Sequence, residues 1–321
     1  MNKSYIDLFK CPNSGENLTL EILKESEDQV IEGSLKSSNY SYPITNGIPR
    51  FVEDEGYSDN FGWQWNKWAR IQFEDENIGR PMAGHTEDMF KKITELDSNQ
   101  LHGKVILDIG CGPGRFVDIA KSMGATVIAI DYSSAIDAAK ENFKGDDSNV
   151  LFVQGDALNH PFKNDVFDYA YSIGVLHHTP DPRKGVHEAM RTLKVNGEFA
   201  VCVYGKNSYY DFPSVQFWRK FHKLLWPLFG HYPPLIYSNI IGRFNHYLRK
   251  ISKRLSQLSR IFFPSVTLLD VRWSVLDTFD SVTPSYQSTH DLYEVQEWFV
   301  EKGYSDVRIA EWDNLIAKKQ K

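Results

Sequence analysis

Short apolar strands alternate with helical stretches between Lys104 and Tyr204. The predicted strands are Val105–Ile109, Thr126–Ile130, Val150–Gln154, Val166–Ile173 and Glu198–Tyr204, and the predicted helices are Arg115–Ser122, Ala135–Phe143 and Arg183–Leu193. Strands that are apolar along their whole length are typical of a parallel sheet whose two faces are both covered by helices. The pattern therefore predicts an α/β fold with a mostly parallel sheet.

A glycine-rich loop follows the first of these strands, in the run Val105-Ile-Leu-Asp-Ile-Gly-Cys-Gly-Pro-Gly-Arg-Phe. Its spacing is GxGxG rather than the GxGxxG of dinucleotide-binding loops, and no Walker lysine follows. Glycine lets a backbone approach a ligand closely, and open α/β sheets bind ligands at the carboxyl ends of their strands. The loop predicts a ligand site, with a bare strand-to-helix turn as the alternative.

Polar residues also stand at the ends of the next three strands. Asp131 ends the second strand, where a carboxylate can accept hydrogen bonds from both hydroxyls of a ribose. Asp156 follows the third strand and is placed to take an adenine amino group, while the Ala157 backbone reads the ring edge. Ser172 and Ile173 close the fourth. A single aspartate is more often a helix cap or a turn residue, but the ordered set predicts an adenosyl ligand.

The run from Lys104 to Tyr204 resembles the core of class I methyltransferases. Leu107-Asp-Ile-Gly-Cys-Gly-Pro-Gly is similar to their first motif, and the segment from Phe167 to Pro182 is similar to the motif after their fourth strand. The resemblance implies a Rossmann-like sheet of seven strands, closed by an antiparallel pair that we predict at Val307–Trp312 and Leu315–Lys319. It also implies S-adenosylmethionine as the cofactor. The predicted cofactor contacts are Asp108, Gly110, Cys111, Gly112, Gly114, Asp131, Tyr132, Asp156, Ala157, Ser172 and Ile173.

Methyl transfer depends mainly on positioning, and a protonated oxygen or nitrogen nucleophile also needs a general base. His177 and His178 are the predicted catalytic residues, because they leave the fourth strand at the mouth of the site and histidine titrates near pH 7. The alternative is that either histidine only ties down the loop. The predicted substrate contacts are Tyr204, Tyr209, Tyr210, Tyr286 and His290, with Asp211, Asp277 and Asp280 as further candidates.

Residues 1–55 resemble the small zinc-ribbon-like activators of methyltransferases, in the run Cys11-Pro-Asn-Ser-Gly and in Tyr42-Pro-Ile-Thr-Asn-Gly-Ile-Pro-Arg-Phe. Ser14 stands where the second cysteine of a zinc-binding pair would be. One thiolate cannot build a four-ligand structural site, so we predict a degenerate ribbon without metal. Residues 56–103 form an aromatic and helical segment before the core. Its tryptophans, Trp63, Trp65 and Trp68, either wall the ligand site or form a core between domains.

Residues 205–284 interrupt the core, which resumes over 285–321 with a predicted helix at Asp291–Glu301. No acidic residue lies between Asp211 and Asp270, whereas nine lysines and arginines do. Apolar residues recur there at helical spacing: Ile236, Ile240, Phe244, Leu248, Ile251, Leu255 and Leu258. Three interpretations stay open for this basic helical insertion. It is a lid with its apolar face packed on the core, a surface for an anionic substrate, or a surface for an anionic membrane.

The charge and cysteine content of the chain limit which kinds of partner and which compartment we expect. The net charge is −6, so we do not expect a nucleic-acid partner. Three separated cysteines without a CxxC pair indicate a reducing compartment, and neither a signal peptide nor a spanning segment is evident, so we expect a cytoplasmic protein. The sequence predicts methyl transfer to an oxygen or nitrogen of a small-molecule or glycoconjugate acceptor. An RNA or protein methyltransferase and a non-catalytic cofactor-binding scaffold are the alternatives.

Overall fold

The computed structural model describes residues 1–53, 56–146, 148–311 and 314–320. Its central sheet has the strand order β10-β11-β9-β8-β5-β6-β7. Strands β5 to β9 run parallel, and β11 pairs antiparallel with both β9 and β10. The predicted α/β fold with a seven-stranded, mostly parallel sheet is confirmed. The strands of this sheet are β5 (Val105–Ile109), β6 (Thr126–Asp131), β7 (Val150–Gln154), β8 (Phe167–Ile173), β9 (Leu193–Cys202), β10 (Asp306–Ala310) and β11 (Asn314–Lys318).

Helices cover both faces of the sheet. They are α2 (His85–Thr94), α3 (Ser98–Leu101), α4 (Arg115–Ser122), α5 (Ala135–Asn142), α6 (Pro182–Thr192) and α12 (Leu292–Val300). Alternate residues of the strands enter two separate cores, as the two-residue period of a strand requires. Leu107 and Ile128 belong to one core, and Ile106 and Val127 belong to the other. The sheet is therefore buried on both sides, which explains why its strands are apolar throughout.

Strand β9 differs from its predicted bounds, because it begins at Leu193 rather than at Glu198. The sequence between these residues contains Asn196-Gly197, which is typical of a turn. In the structure Asn196 does have a positive φ of 68°. The pairing with β8 shifts register at this point, so the dipeptide forms an irregularity inside the strand. The predicted strand Val307–Trp312 ends at a residue outside the described ranges.

The N-terminal segment forms a separate antiparallel sheet of β1 (Thr19–Ser26), β2 (Gln29–Lys36), β3 (Ser41–Thr45) and β4 (Ile48–Pro49). This sheet docks on β7, the edge strand of the central sheet. The Phe51 amide donates to the Gln154 carbonyl at 2.8 Å, and the Arg50 guanidinium contacts Asp137 at 2.6 Å. Phe9 and Tyr42 join the same core as Leu107. The small sheet therefore covers an edge that would otherwise offer free hydrogen-bonding groups.

The insertion is a group of helices around one buried helix. That helix is α11 (Val271–Val282), and α7, α8, a π turn and α9 all contact it. The surrounding elements are α7 (Pro213–Phe229), α8 (Tyr232–Tyr237), the π turn Ser238–Gly242, α9 (Arg243–Ile251) and α10 (Lys253–Phe262). The spacing had predicted helix through Ser252, but Ser252 has an extended backbone and its side chain caps the start of α10. Within the described ranges, none of the helices combines the length and apolar character needed to cross a bilayer.

The apolar stripe of the insertion faces solvent, so the interpretation of a lid with its apolar face on the core is wrong. Ile236, Ile240 and Phe244 are exposed, as are Ile251, Leu255 and Leu258, while Leu248 is half-buried. Asn245 and His246 of α9 are buried instead, and His246 contacts α11. The physical reason lies in α11, which presents hydroxyl groups to its neighbours. The Ser274 hydroxyl lies 3.2 Å from His246 Nδ1 and the Thr278 hydroxyl also faces this side. Buried polar groups need polar partners, so the apolar stripe is left outside.

Candidate functional site

A cavity of about 310 Å³ opens at the carboxyl ends of the central strands. It lies where the strand order reverses, because β5 has β6 on one side and β8 on the other. Open α/β sheets bind ligands at such a position, and the volume suits a small molecule. Three parts of the chain line the cavity: the strand ends with the glycine loop, the segment before the core, and α11 of the insertion.

The glycine loop adopts backbone angles that favour glycine. Gly110, Gly112 and Gly114 have φ values of 78°, 54° and 95°. A Cβ atom on Gly110 would lie 2.3 Å from Val175 Cγ1, and one on Gly112 would lie 3.3 Å from Trp65 Nε1. We had expected the glycines to make room for a ligand. The structure shows that the protein's own side chains also occupy this space, so the loop is fixed by packing as well as by backbone conformation.

Asp131 stands at the cavity with its carboxylate held by protein donors. It accepts hydrogen bonds from the Gly112 amide at 2.9 Å, from the Ser133 amide at 2.9 Å and from the Ser133 hydroxyl at 2.7 Å. Burial raises the pKa of this carboxyl group, and these donors oppose that shift. A carboxylate has about four acceptor positions, so the side chain still has capacity for a ligand hydroxyl.

Two predicted cofactor contacts lie beneath the loop rather than in the cavity wall. Asp108 is 2% exposed and accepts a hydrogen bond from the Tyr171 hydroxyl at 2.9 Å. Burial raises the pKa of Asp108 to about 8. Ser172 donates its hydroxyl to the Ile109 carbonyl at 3.2 Å. These contacts support the strand ends, and a role at the cofactor stays a prediction.

The other predicted cofactor residues divide in the same way. Gly114 begins α4 with Phe143 packed beside it, and the Asp156 carboxylate accepts the Leu158 amide at 2.7 Å. Neither lines the cavity. The predicted cofactor residues that do line it are Gly110, Cys111, Gly112, Asp131, Tyr132, Ala157 and Ile173.

The aromatic segment before the core supplies both a cavity wall and an interdomain contact. It forms α1 (Asp59–Lys67), and Phe61 and Trp65, four residues apart on one face, line the cavity. Trp63 and Trp68 instead pack on Phe279 of α11, each with a ring-centroid distance of 5.3 Å. The two interpretations of this segment therefore apply to different residues of the same stretch.

His178 lines the cavity and His177 does not. The Nδ1 atom of His178 lies 3.1 Å from the Tyr286 carbonyl oxygen, while its buried Nε2 has no hydrogen-bond partner among the described residues. A carbonyl only accepts, so Nδ1 carries the proton and Nε2 keeps a free lone pair. Burial lowers the pKa of His178, which keeps the ring neutral.

His177 is buried against Tyr204, at a ring-centroid distance of 3.7 Å. Within the described part of the chain, neither of its ring nitrogens has a hydrogen-bond partner. Burial lowers its pKa well below the ordinary value, so the ring is neutral. The structure thus places the two predicted catalytic histidines side by side, with only one at the cavity.

The predicted substrate residues are also divided. Tyr204 and Tyr210 line the cavity and stack with centroids 3.6 Å apart. Tyr209 lies behind them, and burial raises its pKa to about 12. Tyr286 contacts Tyr57 at 5.4 Å and is 46% exposed, outside the cavity lining. His290 lies in a different pocket, because its backbone pairs with Gly205 beyond β9 and its ring contacts Glu294 at 2.8 Å.

A group of charged side chains also lines the cavity. The sequence analysis named Asp277 and Asp280 only as further candidates, and it did not predict Arg115. Asp280 of α11 accepts from Gln64 at 3.1 Å and from the Tyr204 hydroxyl at 3.4 Å. Asp277 lines the cavity, and burial raises its pKa to about 7. Arg115 is half-buried in the cavity wall, and partial burial lowers its pKa while Asp277 opposes that shift. Arg115 was missed, although its place directly after the glycine loop is the sequence signal for it.

Among the described residues, no cluster of three or more histidine, cysteine, aspartate or glutamate side chains is arranged to hold a metal ion. The cavity is lined instead by carboxylates, one guanidinium, the imidazoles of His85 and His178 and several aromatic rings. This set suits an organic ligand with hydroxyl or amino groups.

Residues 107–201 match a family model described as a methyltransferase domain. Together with the strand order of the sheet, this match identifies residues 107–201 as a methyltransferase domain, and the family implies S-adenosylmethionine as its cofactor.

Curated relatives align over parts of this chain. A demethylmenaquinone methyltransferase from Clavibacter sepedonicus is 36% identical over 101 residues, covering 31% of this chain and 41% of the relative. Phosphoethanolamine N-methyltransferase 2 from Caenorhabditis elegans is 36% identical over 219 residues, covering 63% of this chain and 48% of the relative. The chain spans about half the length of such relatives, or less. A solved structure of a putative methyltransferase from Methanococcus maripaludis is 17% identical, covers 84% of this chain and 97% of its own, and has a TM-score of 0.48.

Proposed function

We propose that this chain is an S-adenosylmethionine-dependent methyltransferase that acts on an oxygen or nitrogen atom of a small-molecule or glycoconjugate acceptor. The observation that carries the proposal is the position of the Asp131 carboxylate, at the end of β6 and against the glycine loop. A carboxylate at this place is suited to accept a hydrogen bond from a ribose hydroxyl. Demethylmenaquinone and phosphoethanolamine, named for two of the relatives, are small-molecule acceptors, which agrees with the class proposed.

The residues around the glycine loop fit the cofactor. The backbone from Gly110 to Gly112 holds its amino-acid part, and Asp131 binds the ribose. Tyr132 and Ala157 flank the base, with Tyr57 packed on Tyr132 at 5.2 Å. When bound, S-adenosylmethionine supplies an electrophilic methyl group. Trp65 covers the loop on the outer side and excludes water from it.

The general base in this proposal is His178. Its Nδ1 proton is held by the Tyr286 carbonyl, so Nε2 is free to accept a proton from the acceptor. The lowered pKa keeps Nε2 unprotonated at neutral pH. Asp280 is the largest influence that opposes this lowering, and it therefore stabilises the imidazolium formed after proton transfer. His177 acts as a positioning residue through its contact with Tyr204.

The acceptor lies between the stacked Tyr204 and Tyr210 and the charged group of Arg115, Asp277 and Asp280. Carboxylates accept from the hydroxyl or amino groups of an acceptor, and a half-buried arginine binds an anionic group on the same molecule. The aromatic pair supplies a flat apolar wall. A polar acceptor that carries an anionic substituent satisfies all of these groups together.

For the N-terminal segment we propose a degenerate, metal-free ribbon that supports the core. Cys11 Sγ lies 3.2 Å from the Tyr42 hydroxyl, so the remaining thiol contacts a tyrosine. The sheet β1–β4 packs on β7 through Arg50 and Phe51. A cytoplasmic location stays our expectation from the cysteine content.

The proposal is tested by calorimetry with S-adenosylmethionine and with its demethylated product. We expect saturable binding by the full chain and about 100-fold weaker binding by Asp131→Ala, because the charge-assisted hydrogen bond to the ribose and the contact that holds the Gly112 amide are both lost. Asp146→Ala is the matched control, since this carboxylate is exposed and contacts only Lys121 in the described ion pairs. An absence of binding by the wild-type chain would refute the proposal.

Turnover is then followed with methyl-labelled cofactor and a cell extract as the source of acceptors. His178→Gln should retain cofactor affinity and lose about 100-fold or more in the rate of labelling, which is the usual contribution of a general base. Label that appears in RNA or protein rather than in small molecules or glycoconjugates would contradict the proposed acceptor class.

A further inference from the structure

Exposed apolar side chains recur along the helices of the insertion, and we call this set of residues the outer face. On α7 they recur with helical spacing, and a second row runs along α8, the π turn and α9. Leu228 is 77% exposed and Ile251 is 82% exposed, which is unusual for aliphatic side chains in this number. The outer face consists of Phe217, Phe221, Leu224, Leu228, Tyr232, Ile236, Ile240, Phe244, Tyr247 and Ile251.

Both α7 and α9 contact α11. Each uses its polar or small side chains for that contact: His222 and Val215 are buried on α7, and Asn245 and His246 are buried on α9. The opposite sides therefore point away from α11. Trp218 of α7 contacts Tyr237 of α8 at a ring-centroid distance of 4.5 Å, so the two helices pack on each other.

Positive charge accompanies the outer face. Between 212 and 269 there are nine lysines and arginines and no aspartate or glutamate. The exposed ones are Lys220, Lys223, Arg243, Arg249, Lys250, Lys253 and Arg254. In the part of the chain that the structure describes, none of these forms an ion pair with a carboxylate. The rest of the chain is strongly acidic, with 27 lysines and arginines (36 less these nine) against 42 aspartates and glutamates.

We propose that the outer face docks this protein on the surface of an anionic lipid bilayer. Helices with apolar and basic residues on one exposed face lie in the membrane interface, with the apolar side chains at the boundary of headgroups and acyl chains. Lysines and arginines at their margins bind lipid phosphates. This inference goes beyond the proposed methyl transfer, which does not require a membrane.

Charge argues against the other occupants of this face. A second copy seated face to face would bring unpaired lysines and arginines together, with no acidic side chain of the segment to offset them. A nucleic acid would match the charge, but it offers little for aliphatic side chains as exposed as Leu228 and Ile251. An anionic bilayer complements both the charge and the apolar area.

Docking would also place the cavity close to the bilayer. Helix α7 begins two residues after Asp211, and the preceding Tyr210 lines the cavity. On the other side, α11 carries both the packing surface for α7–α9 and the cavity residues Asp277 and Asp280. The same group of helices thus forms the cavity wall and the membrane contact.

The test is flotation of the full chain with phosphatidylcholine vesicles that contain either no anionic lipid or roughly 30 mol% of phosphatidylglycerol. The anionic lipid gives the vesicles a strong negative surface potential. We expect binding to the anionic vesicles, weaker binding at high salt, and little binding to the neutral ones. Lys220→Glu/Lys223→Glu/Lys253→Glu should lower partitioning about 100-fold. The matched control is Lys24→Glu/Lys104→Glu/Lys302→Glu, which makes the same charge change at exposed lysines elsewhere.

A second variant, Ile240→Ser/Phe244→Ser, removes apolar area without changing charge and should lower partitioning at least about tenfold. Cofactor binding by calorimetry shows that each variant is folded, and it also separates failure of this inference from failure of the proposed function. Equal flotation of the wild-type chain and the insertion variants would overturn the inference. The inference would also be overturned if the wild-type chain did not float but self-associated, and if the apolar variant abolished that self-association.

Discussion

The central sheet and the insertion use the same apolar residue types in opposite ways. In β5 and β6, leucine, isoleucine and valine point into two cores and are almost completely buried. In α7 to α9 the same residue types recur with equal regularity and face solvent, while serine, asparagine and histidine face the protein interior. Periodicity therefore shows that a helix has two faces, but the partner decides which face is inside. Here the partner is α11, whose Ser274 hydroxyl pairs with the buried His246 of α9.

Truncating one phenylalanine in each region measures this difference directly. Phe199 on β9 is fully buried, so Phe199→Ala should lower the free energy of unfolding by about 3–5 kcal/mol. The loss comes from transfer of the ring to water and from the cavity left behind. Urea unfolding followed by circular dichroism gives the value. A loss below about 1 kcal/mol would show that the sheet core is looser than its burial indicates.

A buried carboxyl group at the junction of the two regions should make stability depend on pH. Asp277 of α11 has a pKa of about 7 because of burial, whereas it titrates near 4 in the unfolded chain. The folded chain then binds the proton more tightly, so stability falls as the pH rises from 4 through 7. Between pH 5 and pH 8 the free energy of unfolding should fall less in Asp277→Asn than in the wild type. The difference between the two decreases should be at least about 1.4 kcal/mol. If the free energy of unfolding depended on pH in the same way in both proteins, the raised pKa of Asp277 would be contradicted.

The smallest effect is expected on the outer face. Phe244 of α9 is 53% exposed and has no aromatic partner among the described ring contacts, so Phe244→Ala should change the free energy of unfolding by no more than about 0.5 kcal/mol. The same chemical truncation thus separates the two regions by several kcal/mol. If Phe244→Ala proved as costly as Phe199→Ala, the outer face would be covered in the free protein.

The sheet could be predicted from the sequence because its signals are local and consistent. Strands buried on both faces are apolar throughout, and the glycine loop, Asp131 and the helix caps occupy fixed places along them. Strand β9 was predicted too short because Asn196-Gly197 has the composition of a turn and only pairing with β8 makes it part of a strand.

The acceptor side of the cavity was harder to predict, because it is assembled from distant segments. Arg115 and Asp277 come together only after α11 packs against the strand ends. His290 was predicted to reach the site from its position in the chain, but pairing of its backbone with Gly205 carries it to another pocket. The direction of the insertion's apolar stripe likewise depends on α11, which lies later in the chain.

The covering of β7 by the N-terminal sheet has a practical consequence for the design of shorter fragments of this chain. A fragment that starts at β5 would lack the hydrogen bond from Phe51 and the ion pair of Arg50 with Asp137. It would therefore expose β7 as an unpaired edge strand of the sheet. Unpaired strand flanks recruit strands from neighbouring molecules. Aggregation, rather than a working minimal domain, is therefore the expected product of that truncation.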